Sequence, residues 1–450
     1  MTKNLTEGSP TKLILGFAIP LIFGNLFQQF YSMADAIIVG KTLGVTSLAA
    51  VGATGPINFL IIGLAIGICS GFSIPIAQRF GADDYINLRR YVANSVWLGI
   101  FIGGALTAIT LFSTKGILII MKTPENIFPE AYAYIFTMFA GIPVIIAYNL
   151  LSSIMRALGD SRTPVYFLIV CSILNIVLDL WFILQLHLGV MGASLATVIS
   201  QGFSAVLCLI YMKKKFKILK FQKGEFKMRA LHMKKLCFMG IPMGLQSSIT
   251  AIGSVVLQTA VNTLGSGAVA AVTAGSKVSA IFFTILESFG ITMATYCGQN
   301  LGAGKLSRIK QGIRKSLIIS SAYSLVAFMI VLFFGTTIAT LFVDSGETEI
   351  LRMATEFLVG NSAFYWVLGV LFILRYSVQG MGYSGTAIFG GINEMLVRCF
   401  VAFVFIPVLG FGAVQFTNPA AWASAVVFFV PAYIIIMRRL TKRAKLSSSL

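Results

Sequence analysis

The chain has 450 residues, of which 57% are hydrophobic and only 11% are charged. Soluble domains carry about 25% charged residues, so this chain has too few polar side chains to cover a globule in water. The composition excludes a soluble enzyme, a disordered protein and a disulfide scaffold. Together with a mean hydropathy of +0.89, it predicts an all-α integral membrane protein with most of its length in the bilayer.

Twelve apolar stretches follow one another along the chain, each long enough to cross a bilayer as a helix. The first stretch is much longer than the core of a signal peptide, so we expect it to remain as the first span. The predicted spans cover residues 13–39, 46–76, 91–114, 131–155, 164–186, 190–212, 237–262, 267–296, 316–342, 355–379, 386–409 and 417–437.

The net charge of +19 is spread unevenly over the connecting segments. If the N-terminus is cytoplasmic, most Lys and Arg residues fall in cytoplasmic segments, and the outer loops hold few, namely Lys41, Lys115 and Lys122. This distribution follows the positive-inside rule. We therefore expect a multi-pass protein of the plasma membrane with both termini in the cytoplasm, and the basic charge requires no nucleic-acid partner.

A basic segment at residues 213–236 divides the chain almost in half. It separates a predicted N-terminal six-helix lobe (1–212) from a C-terminal six-helix lobe (237–437), which a basic cytoplasmic tail follows (438–450). Two interpretations of this cytoplasmic linker stay open. It forms an amphipathic helix on anionic lipid headgroups, or it is a solvated connector.

The two halves repeat each other at a nearly constant spacing of 221 to 223 residues. A repeat of six spans, an even number, gives both halves the same orientation, related by a pseudo-two-fold axis along the membrane normal. Two such bundles form a transporter architecture, whereas a channel would need symmetric pore loops. The matching pieces are Pro20 with Pro242, 42–44 with 263–265, 49–51 with 270–272, 78–82 with 299–303, and 156–163 with 379–386.

Ionisable residues inside predicted spans are costly and therefore point to function or to partners. In the first half, Asp35, Asp179 and Thr197 lie at a similar depth, about 6–11 Å below the outer interface at 1.5 Å per residue. Asn175 shares a face with Asp179, and Gln28 and Tyr31, which accompany Asp35 on the first span, are candidate substrate contacts. No cation lies among them. Such a site favours binding a proton, or a Na⁺ held by the two carboxylates; the alternative is a hydrogen-bonded packing cluster.

The charged residues of the second half include both signs: Lys277, Glu287, Arg375, Glu394 and Arg398. Glu394 and Arg398 have the spacing of an ion pair on one helix face. Two interpretations stay open, a buried salt-bridge network that holds helices together and a substrate contact through Arg398. Glu287 is the candidate there for attracting a cationic substrate.

Several motifs, taken in order, resemble the multidrug and toxic compound extrusion (MATE) family over essentially the whole chain. They are PLIFGNLFQQFYSMAD (20–35), LGVTSLAAVG (43–52), the paired QxxGA loops, MRALGDSRTP (155–164) and NIVLD (175–179). The resemblance implies export of amphipathic, often cationic compounds in exchange for H⁺ or Na⁺. It also implies that Asp35, Asn175, Asp179 and Thr197 couple the ion, with Tyr134 and Asn149 beside them, and that the first helix bends at Pro20. Span 7 lacks the acid of another family branch, which directs coupling to the first lobe.

The sequence thus favours a secondary-active multidrug antiporter that works by alternating access as a monomer, without a cofactor. Asp35 and Asp179 would be the metal ligands if the ion is Na⁺. A lipid-linked precursor flippase of the same superfamily is the alternative, although the first-half spans hold acids and no internal cation. A major-facilitator transporter and an intramembrane enzyme are less well supported, since the second QxxGA loop disfavours the former and HExxH and GxGD motifs are missing.

Overall fold

A computed structural model describes residues 4–344 and 346–448. The first three residues of the predicted N-terminal lobe and the last two of the predicted tail lie outside the described residues. Throughout the described part, regular secondary structure is helical and contains no β-strand. Fifteen α-helices are present there: α1 (Pro10–Leu43), α2 (Val45–Gly81), α3 (Tyr85–Ile120), α4 (Phe128–Ala140), α5 (Ile142–Ala157), α6 (Arg162–Leu180), α7 (Gly189–Lys215), α8 (Ala230–Asn262), α9 (Ser266–Gly302), α10 (Leu306–Ala339), α11 (Thr348–Ser362), α12 (Tyr365–Gly380), α13 (Gly385–Phe400), α14 (Ile406–Leu409) and α15 (Phe411–Ser448).

Within the described ranges, 10 helical segments are long and apolar enough to cross a membrane, or up to 12 if each bent helix pair counts as one span. The bent pairs are α4 with α5, at 47°, and α11 with α12, at 48°. They correspond to the predicted spans 131–155 and 355–379, which are therefore broken rather than straight. In the first pair, Pro143 contributes to the break because it has no amide hydrogen to donate to the preceding turn.

The backbone repeats the two-fold pattern of the sequence in detail. Gly44 and Gly265 have φ values of 92° and 95° at the start of α2 and α9, a conformation that favours glycine. Five-residue π-helical turns follow α6, at Trp181–Gln185, and α13, at Val401–Phe405. Each half therefore has the same order of long helices, bent pair and π-helical turn.

The chain divides into two compact units. Unit 1 comprises residues 1–4 and 19–244, and unit 2 comprises residues 5–18 and 245–450. The division falls inside α1 and α8, close to Pro20 and Pro242, rather than in the basic linker. The start of α8 thus groups with the first half of the chain, and the start of α1 groups with the second half.

The N-terminal segment of unit 2 is fixed by the second QxxGA loop. The Leu5 amide donates to Gln299 Oε1 at 2.9 Å, and the Asn300 side-chain amide donates to the Leu5 carbonyl at 3.2 Å. Arg308 donates to the Gly8 carbonyl at 3.0 Å, and Leu5 itself is 1% exposed. The motif therefore has a structural role here, because its polar side chains satisfy an otherwise buried stretch of backbone.

The basic linker is not an amphipathic helix, so that interpretation was wrong. Helix α7 continues to Lys215, a single 3₁₀ turn covers Lys217–Leu219, and the chain is irregular until Ala230. A buried ion pair fixes this segment to α3: Arg89 donates to Glu225 through Nε at 2.6 Å and through Nη2 at 2.8 Å. Asn94 Oδ1 also accepts from the Arg229 amide at 2.8 Å. Contacts that are distant in sequence decide this conformation.

We expect Glu225→Gln to release the linker. The bidentate bond from Arg89 lowers the pKa of Glu225. The ion pair therefore stabilises the folded linker fully at any pH above the ordinary pKa of a glutamate, and this stabilisation is lost as the pH falls through the lowered pKa. At neutral pH, trypsin should cleave the exposed Lys223 and Lys227 at least severalfold faster in the variant than in the wild type. Acidification should increase cleavability of the wild type by an acid-active protease and change the variant less. Equal cleavage of both proteins would contradict this role.

Helices α2 and α8 approach each other unusually closely inside unit 1. Gly67 and Gly71 on α2 face Gly244 and Gly240 on the first part of α8. A Cβ atom added at Gly71 would lie 2.5 Å from Gly240 Cα, and one added at Gly67 would lie 2.7 Å from Gly244 Cα. Both helices therefore carry the small-xxx-small pattern that allows helices in membranes to pack backbone to backbone.

Gly71→Ala should destabilise unit 1, because the added methyl group meets backbone that cannot rotate away. Overpacking of this kind costs about 1–3 kcal/mol, and we expect a lower melting temperature in detergent. Gly104→Ala on α3 is the matched control, since a Cβ atom there meets nothing within 4 Å. If Gly71→Ala and Gly104→Ala had the same melting temperature, the close contact between α2 and α8 would not restrict the size of the side chain at residue 71.

Candidate functional site

Unit 1 brings most of the predicted coupling residues together. The carboxyl groups of Asp35 on α1 and Asp179 on α6 lie within hydrogen-bonding reach of each other. The Tyr31 hydroxyl lies within reach of Thr197 on α7, and Tyr134 on α4 is close enough to interact electrostatically with both acids. Four helices thus contribute to one buried polar cluster.

Asn175 connects α6 with α7 in this cluster and is fully buried, as is Asp179. Its side-chain amide is best satisfied with the nitrogen toward Asp179. In that orientation it donates to Asp179 Oδ2 at 3.3 Å and accepts from the Thr197 amide at 3.3 Å. The opposite orientation gives a 3.3 Å bond to the Thr197 hydroxyl but leaves Asp179 without this donor. Asn175 therefore orients one of the two acids.

The two carboxyl groups of the cluster have too few hydrogen-bond donors around them to pair all of their buried oxygens. Among the described residues, Asp35 Oδ1 and Asp179 Oδ1 are buried and have no hydrogen-bond partner. Within the described ranges, the groups that interact with either carboxyl include no Lys or Arg. Two neighbouring carboxylates cannot both stay ionised in an apolar site without a counter-charge. A shared proton would satisfy them, and so would a small cation.

The residues also suit a Na⁺ ion, although not through acids alone. The described residues contain no group of three or more His, Cys, Asp or Glu side chains arranged to hold a metal. A hard cation prefers oxygen ligands, and here Asp35 and Asp179 would supply charge while the Thr197 hydroxyl would supply a neutral oxygen ligand. The Asn175 amide oxygen would be a further ligand only in the opposite orientation of that side chain, with its nitrogen toward the Thr197 hydroxyl. The geometry therefore admits either H⁺ or Na⁺.

Two predicted residues, Asn149 and Gln28, are not hydrogen-bonded to the acids in the part of the chain that the structure describes. Asn149 on α5 is half-buried, and its amide donates to the Ile145 carbonyl of its own helix at 2.9 Å. The Gln28 side chain on α1 is exposed. Neither side chain has a hydrogen bond to Asp35 or Asp179 within the described structure. Depth along a span could be counted from the sequence, but the direction in which each helix face points could not.

Unit 2 holds a second buried polar network. It contains arginine side chains as well as an acid, whereas the charged groups of the unit 1 cluster are acids. Glu394 on α13 bonds to Arg375 on α12 and lies 3.7 Å from Arg398, one turn away on its own helix. Arg398 Nε donates to Asn418 on α15 at 3.3 Å, and the Asn418 amide donates to Asn361 at 3.3 Å. The Glu394–Arg398 pair is present, but Arg375 is the closer partner. Sequence reasoning missed Asn361 and Asn418, although neutral amides in apolar spans were a usable signal.

Glu287 on α9 lies half-buried beside this network. Its Oε1 accepts from the Tyr376 hydroxyl at 3.1 Å, and Arg375 interacts with it electrostatically. Nearby, the Gln379 amide donates to Gln246 Oε1 at 3.2 Å. Glu287 is therefore a partly compensated acid rather than an isolated one.

Comparisons with known proteins agree with this architecture. The family model described as MatE matches residues 20–181 and again residues 242–404. Two proteins of Bacillus subtilis (strain 168) are each 29% identical to the chain: Probable multidrug resistance protein YoeA, over 98% of this chain and 96% of its own length, and Probable multidrug resistance protein YpnP, over 84% of each. These are relatives of the chain over nearly its whole length.

A solved structure described as the outward-facing conformation of a multidrug resistance MATE family transporter of the MOP superfamily has a similar fold. Its TM-score is 0.90 at 24% identity, and the match covers 98% of this chain and 99% of that one. At this identity the likeness establishes the fold. The all-α membrane fold expected from the composition is thereby confirmed.

The family model matches once in each half, which is the same repeat that the paired motifs and the paired π-helical turns display. The two matched ranges cover well over half of the chain, and the relatives are bacterial. The resemblance inferred from the motifs is confirmed, and with it the expectation of a transporter rather than an enzyme. The chain belongs to the MATE family of multi-span membrane transporters.

Proposed function

We propose that this chain is a secondary-active antiporter of the bacterial plasma membrane. It exports amphipathic compounds by alternating access in exchange for H⁺ or Na⁺, and the ion binds at the cluster of Asp35, Asn175, Asp179 and Thr197. The observation that carries the proposal is a fully buried carboxyl group, Asp179, beside the half-buried Asp35. Each has a buried oxygen without a hydrogen-bond donor, and the described groups that interact with them include no Lys or Arg. The names of the relatives, which describe multidrug resistance proteins, support export of more than one compound.

The ion supplies the energy in this proposal. One ion that moves inward across about 100 mV contributes about 2.3 kcal/mol when the exported compound has no net charge, which sustains roughly a fiftyfold concentration ratio of that compound. When a monovalent cation such as ethidium leaves in exchange for one ion, the charges cancel, and the ratio is set by the concentration gradient of the ion. Binding of the ion and of the substrate need only be mutually exclusive for this coupling to work. Tyr134 and Asn149 are proposed to take part in ion coupling beside the acids, and Tyr31, which lies close to Asp35, is proposed to contact the substrate.

Further parts of the proposal concern orientation and substrate contact. The uneven distribution of Lys and Arg supports two cytoplasmic termini. The protein is proposed to be a monomer with lobes at 1–212 and 237–437. Gln28 and Glu287 are proposed to contact the cationic part of a substrate. A lipid-linked precursor flippase is less well supported, because an anionic headgroup would be repelled by the acids of unit 1.

Uptake of ethidium into inside-out vesicles tests the proposal. A proton gradient and a Na⁺ gradient are imposed one at a time, and ethidium fluorescence follows accumulation in the lumen. We expect accumulation under at least one gradient and its collapse when an ionophore removes that gradient. Vesicles from cells that carry the empty vector are the control. Accumulation that is equal with and without the protein under both gradients would overturn the antiporter proposal and favour the flippase.

A further inference from the structure

The buried network of unit 2 contains more positive than negative charge around Arg398. Glu394 is the acid that interacts with Arg398, and its close bond goes to Arg375, which leaves Arg398 at 3.7 Å. Glu287 interacts with Arg375 and Tyr376 rather than with Arg398. The remaining bond of Arg398, from Nε to Asn418 Oδ1 at 3.3 Å, goes to a neutral amide. One carboxylate is thus shared by two guanidinium groups.

Arg398 also has a donor without an acceptor. Its side chain is 95% buried, since the residue is only 5% exposed, and within the described structure its Nη1 atom has no hydrogen-bond partner. A buried, charged donor without an acceptor costs free energy and calls for an explanation. A ligand oxygen that accepts from Nη1 provides one, because guanidinium groups bind carboxylate and phosphate oxygens with strong, directional bonds.

Space beside Nη1 is provided by a glycine. A Cβ atom added at Gly253 on α8 would lie 3.5 Å from Arg398 Nη1 and 3.4 Å from its Cδ. Both separations are ordinary van der Waals distances, so a methyl group fits there and would cover part of the donor. The glycine therefore leaves a methyl-sized gap beside Arg398 Nη1.

We propose that Arg398 binds an anionic oxygen group, a carboxylate or a phosphate, on the exported compound. The substrates then include zwitterionic and acidic amphiphiles as well as cations. This inference rests on the proposed export function and specifies its substrate class. It assigns Arg398 the binding role and Arg375 the role of neutralising Glu394, so that removal of Arg398 leaves no acid unpaired.

Binding of rhodamine B and of its methyl ester to purified protein tests the inference. The two dyes share one fluorescent cationic core and differ in a free carboxylate, and fluorescence polarisation reports both affinities. We expect Arg398→Gln to weaken binding of the free acid on the order of tenfold more than binding of the ester.

Two further variants refine this test. Arg398→Lys, which keeps the charge, should retain part of the preference for the free acid, and Gly253→Ala should reduce that preference without a change of charge. Inorganic phosphate and acetate, added as competitors, distinguish the two anion types.

Arg352→Gln is the matched control, because it removes the same charge from an exposed position of unit 2. It should leave both affinities unchanged, and gel filtration confirms that each variant is folded. Wild-type protein that shows no preference for the free acid over the ester, or an Arg398→Gln protein that keeps that preference, would overturn the inference. Ethidium transport in vesicles reports separately on the antiporter proposal, because ethidium carries no anionic group.

Discussion

Asp35→Asn should abolish gradient-driven export while the protein still inserts into the membrane. The substitution keeps the size of the side chain but removes the charge that a proton or Na⁺ would neutralise, so that a single carboxyl, Asp179, remains in the cluster. Without exchange of the ion, the imposed ion gradient no longer drives ethidium across the membrane. Ethidium should then equilibrate instead of accumulating, a loss of about tenfold in the sustained ratio for each tenfold step of the ion gradient in a one-for-one exchange.

The control for this variant is another acid of unit 1. Asp83→Asn removes a carboxylate from the turn between α2 and α3, where the side chain accepts a hydrogen bond from Tyr85 and is exposed. It should export ethidium like the wild type. An Asp35→Asn protein that still accumulates ethidium under the same gradient would remove Asp35 from the coupling mechanism, whatever the other acids do.

Glu394→Ala should produce the largest loss of stability in the chain. The substitution leaves Arg375 and Arg398 buried, close together and without their shared acid. Loss of one partner from a buried pair costs about 3–5 kcal/mol, which corresponds to a drop on the order of 10 °C in melting temperature. A thiol-reactive dye can follow melting, since Cys69, Cys171, Cys208 and Cys297 are buried and free.

The exposed ion pairs on α11 provide the comparison. Arg352 lies 2.7 Å from both Glu349 and Glu356, but all three side chains are open to their surroundings. Exposed pairs contribute little, so Glu349→Gln should melt with the wild type. If Glu394→Ala melted at the same temperature as Glu349→Gln, the network of unit 2 would not be the buried, mutually compensating set described above.

Much of the fold followed from the sequence because helix length and apolar composition are local properties. The spans and the repeat are set by runs of residues that need no partner to be recognised. Depth is also nearly local, since a helix rises by a fixed 1.5 Å per residue, and this is why Asp35, Asp179 and Thr197 could be assigned to one level. The break between α4 and α5 was missed because the apolar pattern continues through it, although Gly141 and Pro143 signalled it.

What the sequence could not predict depends on the choice of partners. The linker sequence was compatible with an amphipathic helix and with a solvated connector. Its conformation is decided by the bond between Glu225 and Arg89, which lies 136 residues away in the chain. In unit 2, helical spacing favoured Arg398 as the partner of Glu394, whereas the packing of α12 against α13 makes Arg375 the closer one. The faces of Gln28 and Asn149 likewise depend on helix rotation, which neighbouring helices set.

Ion release on substrate binding tests the central claim most directly. Ethidium is titrated into purified protein by calorimetry in buffers of different ionisation enthalpy, with and without Na⁺, for the wild type, Asp35→Asn and Asp179→Asn. If the acid cluster of unit 1 binds the coupling ion, ethidium binding to the wild type will release protons or compete with Na⁺, and both variants will lose that dependence. Ethidium binding that is independent of pH and of Na⁺, or a dependence that both variants retain, would contradict the assignment of the coupling site.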